Sequence, residues 1–303
     1  MKLIRGLRHV EYFYRPSQVW RRLRKHSLVE RGKVTLAWGL PIGIGPSSIV
    51  GADILNLGVY DRVVPEAICR LLDPGEQAFD VGANIGQNVS IMALVLGGRG
   101  RAVAFEPGPE SWRLLEANVA SWGRYHLSPI TVVRKGVSSR CGAGLLREST
   151  DLGGFSLEEC PSGPPRLAPD SARGIGIDLT TLDDFNPAGA PIGFIKMDVE
   201  GHELAVLEGA SRILRERSVR DIVFEDFHPQ PSPVTTRLQA AGYEVFSLFP
   251  AWRNPVLLTL AQFAKLTWKD CPPNFLATCD PARVRARFAP GGWKCLRIRA
   301  RLR

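Results

Sequence analysis

Between Ala78 and Leu96 the chain runs from a short apolar stretch through a turn of small residues into an amphipathic stretch, and few folds accommodate that order. Ala78, Phe79 and Val81 read as a strand buried on both faces. Val89, Met92, Ala93 and Leu96 recur at i, i+3, i+4 and i+7, the period of a helix face. The joint is Asp80-Val81-Gly82-Ala83-Asn84-Ile85-Gly86-Gln87, in which Gly82 and Gly86 permit dihedrals and a close approach that a β-carbon would forbid. That geometry serves an ordinary strand-to-helix turn or one on which a ligand rests. Twenty residues past Gly86 a second strand, Ala102–Phe105, ends in Glu106. A carboxylate at that tip of a βαβ unit is placed to accept hydrogen bonds from the two hydroxyls of a ribose. Loop and acid together predict a nucleoside ligand.

The dinucleotide fingerprint G-x-G-x-x-G is not met, because Asn84 stands where its second glycine belongs; the pattern is D-x-G-x-N-x-G. No glycine is kept for close packing of a pyrophosphate on the helix N-terminus. S-adenosylmethionine, an adenosine with an amino-acid tail, suits the loop. Asp80 is an acid that could meet its ammonium, with Gly82, Ala83, Asn84 and Gly86 as the cradle and Glu106 on the ribose.

Further along, strand and helix patterns alternate. Val63–Leu72 and Ser111–Trp122 read as helices, Ile130–Val133 as a third strand, and Ile192–Asp198 as a fourth that again ends in a carboxylate. Glu203–Arg215 reads as one helix, Asp221–Glu225 as a fifth strand, Val234–Ala241 as a helix, and Tyr243–Leu248 and Asn274–Thr278 as the last two strands. The class is α/β: a Rossmann-like seven-stranded, mostly parallel sheet with helices on both faces, plus a basic N-terminal extension. Residues 140–177 break the rhythm with Gly and Pro and read as an inserted loop or hairpin, a candidate lid. The expected organisation is 1–60 as a basic helix and β-rich lead-in, 61–282 as the catalytic domain, and 283–303 as a basic tail.

Composition sharpens this only through charge. The chain has 303 residues and a net charge of +9, with 45% hydrophobic and 23% charged residues, as in a globular protein. Residues 1–33 carry ten Lys/Arg against two acids and 283–303 carry eight with none, so 34–282 holds 21 basic and 28 acidic residues, a net of −7. Basic ends can meet nucleic acid, an anionic membrane surface or an acidic partner, or simply be solvated. In the first segment Val19, Trp20 and Leu23 lie opposite Arg21, Arg22, Arg24 and Lys25, a pattern open to peripheral membrane contact or to packing on the main domain. The six cysteines form no C-x-x-C pair and read as free thiols of a reducing compartment. With no membrane-length apolar run or leader pattern, a cytoplasmic location is expected.

Five blocks in order carry a family resemblance: Phe79–Gly86, Phe105-Glu106-Pro107, Thr181-Leu182-Asp183-Asp184-Phe185, Ile195-Lys196-Met197-Asp198-Val199-Glu200-Gly201-His202-Glu203, and Phe224-Glu225-Asp226-Phe227-His228-Pro229. Together, over roughly residues 60–280, they resemble the FkbM family of S-adenosylmethionine-dependent methyltransferases. The resemblance implies methylation of hydroxyl groups, often of sugars, polyketides or lipids. The third strand runs into Lys135-Gly136-Val137-Ser138, not the acid that many methyltransferases place near the adenine, and Ser138 is left as the cofactor contact there.

Methyl transfer is an in-line displacement at a sulfonium carbon, so alignment does much of the work, and a hydroxyl nucleophile must also lose its proton. His202 has the side chain that titrates near neutrality and is the expected base, with Asp198 positioning cofactor or substrate and His228 as a second base candidate or substrate contact. Glu200 and Glu203 also suit the first turn of a helix as acids favoured by its dipole. Asp198, Glu225 and Asp226 are oxygen donors of the kind that bind Mg²⁺, though no metal site is assigned. Two other readings stand beside this one. A nicotinamide-dependent oxidoreductase is opposed by Asn84. An RNA methyltransferase would use the basic ends, yet no nucleic-acid motif or aromatic stacking series supports one, and the acceptor is expected to be a small molecule, glycan or lipid.

Overall fold

The computed structural model describes residues 33–45, 49–148, 155–160, 174–266 and 273–303, so the basic segment 1–32 and Cys271 lie outside the described residues. Two short strands, β1 (Lys33–Thr35) and β2 (Pro41–Gly43), pair antiparallel and lead into α1 (Ile49–Leu57) and α2 (Val63–Leu71). The loop region of the sequence then forms β3 (Gln77–Val81), α3 (Gln87–Leu96), β4 (Arg101–Phe105), α4 (Pro109–Ser121) and β5 (Ile130–Val133). After a small sheet described below come α5 (Leu182–Phe185), β10 (Ile192–Met197), α6 (Glu203–Glu208), α7 (Ser211–Arg215), β11 (Val219–Glu225), α8 (Pro233–Ala240), β12 (Glu244–Phe249), β13 (Val256–Thr259), α9 (Leu260–Phe263), β14 (Asn274–Thr278) and α10 (Pro281–Phe288).

The main sheet has the order β13-β12-β14-β11-β10-β3-β4-β5. Strands β5, β4, β3, β10 and β11 are parallel; β14 is inserted antiparallel between β11 and β12. All seven strands read from the sequence are present, and β13 adds an eighth beside β12. Along β3, β4 and β10 alternate side chains enter two separate cores: Ala78, Ala102 and Phe194 on one face, and Phe79, Val103, Phe105, Ile195 and Met197 on the other. Burial on both faces is why these strands read as continuous apolar runs.

Three elements depart from the expectation. The helix expected over Glu203–Arg215 is two, because Gly209-Ala210 interrupts it; a β-carbon on Gly209 would stand 2.0 Å from the Ser138 carbonyl oxygen. The described part of 140–177 is regular: β7 (Gly142–Glu148), β8 (Phe155–Cys160) and β9 (Gly174–Thr180) join β6 (Gly136–Val137) in a sheet of order β6-β9-β7-β8. Residues 283–303 are no loose tail, since α10 crosses the boundary expected at 282 and Val284, Phe288, Trp293, Cys295 and Leu296 are buried in the first core. The five described cysteines are free thiols.

Candidate active site

The carboxyl ends of β3, β4 and β10 meet around the Gly82–Gly86 turn. In the parallel pair of β3 and β10, Asp80 is in register with Lys196, and Asp198 follows Lys196 by two residues, so all three side chains leave the same face of the sheet. Lys196 Nζ donates to the Gly82 carbonyl at 2.7 Å and lies 3.4 Å from both Asp80 Oδ1 and Asp198 Oδ2. Burial opposes the charge on Lys196, yet Asp198 and Asp80 together hold its pKa above the ordinary lysine value. Burial pushes the Asp80 carboxyl up, opposed by the same ammonium. Asp80 is fully buried, so it offers a ligand no surface; its charge is met by Lys196. The Asp198 side chain is 36% exposed.

The turn is bent by its glycines for reasons inside the protein. Gly82 (φ +75°) abuts Asp198, whose carbonyl oxygen would be 1.9 Å from a β-carbon, and Gly86 (φ +95°) abuts Leu115, at 2.6 Å. Asn84 also has positive φ (+49°), which asparagine tolerates better than most residues. The close approach that the sequence assigns to a ligand is therefore made by strand β10 and helix α4.

Glu106 sits at the tip of β4, where Oε2 accepts from the Asn84 backbone N–H and Oε1 from that of Gly108, each at 2.8 Å. Burial raises its pKa to about 7, against those two hydrogen bonds. Each carboxylate oxygen has further acceptor capacity.

His202 is the N-cap residue of α6. Its Nε2 lies 2.6 Å from Ser138 Oγ, and Ser138 also hydrogen bonds to Glu159 of β8. Burial depresses the His202 pKa below its ordinary 6.5, with Glu159 and Glu208 opposing, which leaves the ring neutral at pH 7. Ser138 is fully buried with its hydroxyl committed to these two partners, so the cofactor contact expected of it is replaced by contacts within the protein. Glu203 Oε1 accepts from the N–H groups of Val199 and Gly201 and braces the turn that carries Asp198 and Glu200.

His228 is largely exposed, its Nδ1 2.9 Å from Asp226 Oδ1. Asp226 is buried and accepts from His228, Gln230 and Ser232, so it organises the loop after β11. Glu225 beside it is raised to about 8 by burial, with Asp198, Asp61 and Glu200 pushing the same way. Among the described residues no three His, Cys, Asp or Glu side chains have a metal-holding arrangement. Sequence reasoning missed Lys196 and Glu159. A lysine within a six-residue strand of otherwise apolar residues was a signal for the first, since lysine is seldom buried unpaired; Glu159 lies in a stretch without readable periodicity.

With this geometry in view, similarity to known proteins is decisive on the family. The methyltransferase FkbM domain matches residues 80–245, more than half of the chain. The chain belongs to the FkbM methyltransferase family. It is 29% identical over 181 residues to the hexuronic acid methyltransferase AglP of Haloferax volcanii, covering 57% of this chain and 67% of that protein. It is 29% identical over 185 residues to the methyltransferase sdnD of Sordaria araneosa, covering 53% and 69%. Among solved structures, an S-adenosylmethionine-dependent O-methyltransferase of Thermotoga maritima aligns with TM-score 0.41 and 15% identity, over 81% of this chain and 76% of that one.

FkbM methyltransferases use S-adenosylmethionine, and it is the methyl donor of this chain. The residues fit it: Glu106, at the tip of β4, spends one acceptor site per oxygen on backbone N–H groups and keeps acceptor capacity for hydroxyl donors. No helix among the described residues is long and apolar enough to cross a membrane.

Proposed function

We propose that the chain is an O-methyltransferase whose acceptor is a hydroxyl of a sugar or of a sugar-bearing molecule. The observation that carries this reading is the 2.6 Å contact of His202 Nε2 with Ser138 Oγ, which orients a half-buried imidazole four residues past Asp198. A neutral imidazole near its working pH is suited to take a proton from an alcohol. The hexuronic acid methyltransferase among the relatives supports a sugar as acceptor.

S-adenosylmethionine supplies an electrophilic methyl on its sulfonium sulfur. Glu106 accepts from the ribose hydroxyls, the Gly82–Gly86 turn fixes where the nucleoside lies, and Asp198 positions donor or acceptor at the open end of the Lys196 pair. His202 receives the hydroxyl proton. The exposed His228 contacts the acceptor at the rim.

The test is mass spectrometry of glycan, lipid and polyketide-type acceptors after incubation with enzyme and isotopically labelled donor. A labelled methyl on a sugar hydroxyl, lost in His202→Gln, is the expected result. Transfer to nitrogen or to RNA, or full activity in His202→Gln, would overturn the reading.

A further inference from the structure

Glu159 of the second sheet reaches His202 through Ser138. Glu159, on β8, accepts from the hydroxyl of Ser138, from the hydroxyl of Ser139 at 2.7 Å and its N–H at 3.2 Å, and pairs with Arg140 Nε at 2.9 Å. Burial works against its charge, but these donors and the Arg140 cation prevail and hold the carboxyl at about 2. At any working pH it is a carboxylate, which accepts hydrogen bonds and donates none.

Ser138 has one hydroxyl proton and two partners, Glu159 and His202 Nε2. The proton must go to Glu159, because the carboxylate has none to offer. Ser138 Oγ then accepts at its other side, so the hydrogen in the 2.6 Å contact belongs to His202 Nε2. A neutral imidazole protonated at Nε2 carries its lone pair on Nδ1, and among the described residues Nδ1 has no hydrogen-bond partner.

We propose that Glu159, acting through Ser138, fixes His202 as the Nε2–H tautomer and so makes Nδ1 the atom that receives the acceptor's proton. This rests on the reading of His202 as the base. Glu159 is a positioning residue that touches neither substrate nor donor. In the step itself the hydroxyl O–H bond breaks and its proton passes to Nδ1. The oxygen's electron pair forms the new bond to the methyl carbon, and the pair of the broken S–C bond stays on sulfur. The imidazolium keeps its Nε2–H on Ser138, with the Glu159 charge one hydroxyl away. The charged groups bearing on His202 are Glu159 from β8 and Glu208 at the end of α6, while Arg140 is turned to Glu159.

The tautomer can be read directly in the full-length protein labelled with ¹⁵N-histidine. Long-range ¹H–¹⁵N spectra at pH 7.5 report both ring nitrogens, and His202 is assigned by its absence from the His202→Gln spectrum. The expected result is a protonated Nε2 and an unprotonated Nδ1. An Nδ1–H tautomer would overturn the proposal while leaving His202 free to act as base through Nε2. In Glu159→Gln, loss of the charge lowers the His202 pKa: the acid limb of kcat moves to lower pH and kcat drops about tenfold, with the Kd for S-adenosylhomocysteine unchanged as the check on folding. Glu159→Asp recovers both. An unshifted limb in Glu159→Gln also overturns the proposal, whereas full activity in His202→Gln removes the reading it rests on.

Discussion

The main-chain carbonyl oxygen of Asp198 lies 1.9 Å from the point a β-carbon on Gly82 would occupy. The turn after β3 and the acid at the tip of β10 are therefore one packed unit. Whatever displaces the turn displaces Asp198 with it.

Gly82→Ala should accordingly be among the most damaging single changes in the chain. A positive φ costs a residue with a β-carbon about 1–2 kcal/mol, and the overlap with Asp198 about 1–3 kcal/mol more. Gly201 is the control: its φ is +91°, but nothing stands within 4 Å of its missing β-carbon, so Gly201→Ala meets the dihedral term alone. Urea unfolding of the two variants compares them. Equal losses would mean that the approach of β10 is not what demands glycine at 82.

Most of the main sheet was legible in the sequence because strands buried on both faces and helices buried on one leave different periods, as in Phe79–Val81 and Val89–Leu96. The strand-end acids were legible for the same reason, since each closes an apolar run. What escaped depends on tertiary context. The Gly209-Ala210 break reflects a carbonyl from Ser138, some seventy residues away in sequence, and nothing in Glu203–Arg215 announces it. The strands β7 and β8 each leave side chains exposed to solvent, and in β7 Gly144 packs against Leu179 in place of an apolar side chain, so they lack a clean alternation. Residues 283–303 looked like a solvated tail because they carry eight Lys/Arg and no acid, yet Arg283 and Arg287 bind carbonyls and Asp73 while Trp293 and Leu296 fill the core.

Lys196 holds two carboxylates, one of them fully buried. Lys196→Met should cost about 3–5 kcal/mol, because Asp80 is then a buried charge without a partner. The pH dependence has a definite sign. Without the ammonium the folded-state pKa of Asp80 rises further above its unfolded value, so the variant's deficit is smallest at acid pH and grows as pH climbs from about 4. Adding Asp80→Asn should restore much of the loss and remove that slope. Denaturation midpoints of the unaltered chain and the two variants between pH 4 and 8 decide this, and a deficit independent of pH would contradict it.

Glu106 has a folded-state pKa of about 7 against an ordinary 4.5, raised by burial. A raised carboxyl stabilises the fold below the unfolded value, and that contribution is lost as pH rises from about 4.5 to 7. Ribose hydroxyls donate to the ionised form, so ligand binding pulls the pKa down and expels a proton. Affinity for S-adenosylhomocysteine should then rise with pH across the same window, and calorimetry at pH 6.5 in buffers of different ionisation enthalpy should detect proton release. Glu106→Gln should bind more weakly by roughly 1–3 kcal/mol and release no proton. Identical proton release in both proteins would exclude Glu106 as the linked group.

The final prediction concerns the C-terminal segment and Arg70, which is fully buried in α2. Its Nε donates to Glu66 at 2.6 Å, and its two terminal nitrogens donate to the carbonyls of Arg287, Pro290 and Gly292 at 2.8–2.9 Å. The other Glu66 oxygen accepts from the Cys295 N–H at 2.8 Å, and the Ala300 N–H reaches the carbonyl of Trp38. The last twenty residues thus tie the lead-in around residue 38 to the helix before β3. Arg70→Met leaves Glu66 buried without its cation and three carbonyls without donors, a loss of about 3–5 kcal/mol. Removing residues 283–303 takes away the carbonyls instead and exposes the Arg70–Glu66 pair together with the surface beneath Trp293. Both variants should lower the thermal midpoint well before either touches a residue of the cleft, and the truncated chain should lose cooperative unfolding. A truncated protein that melts like the full chain and binds S-adenosylhomocysteine with the same Kd would show that the segment is dispensable for the fold.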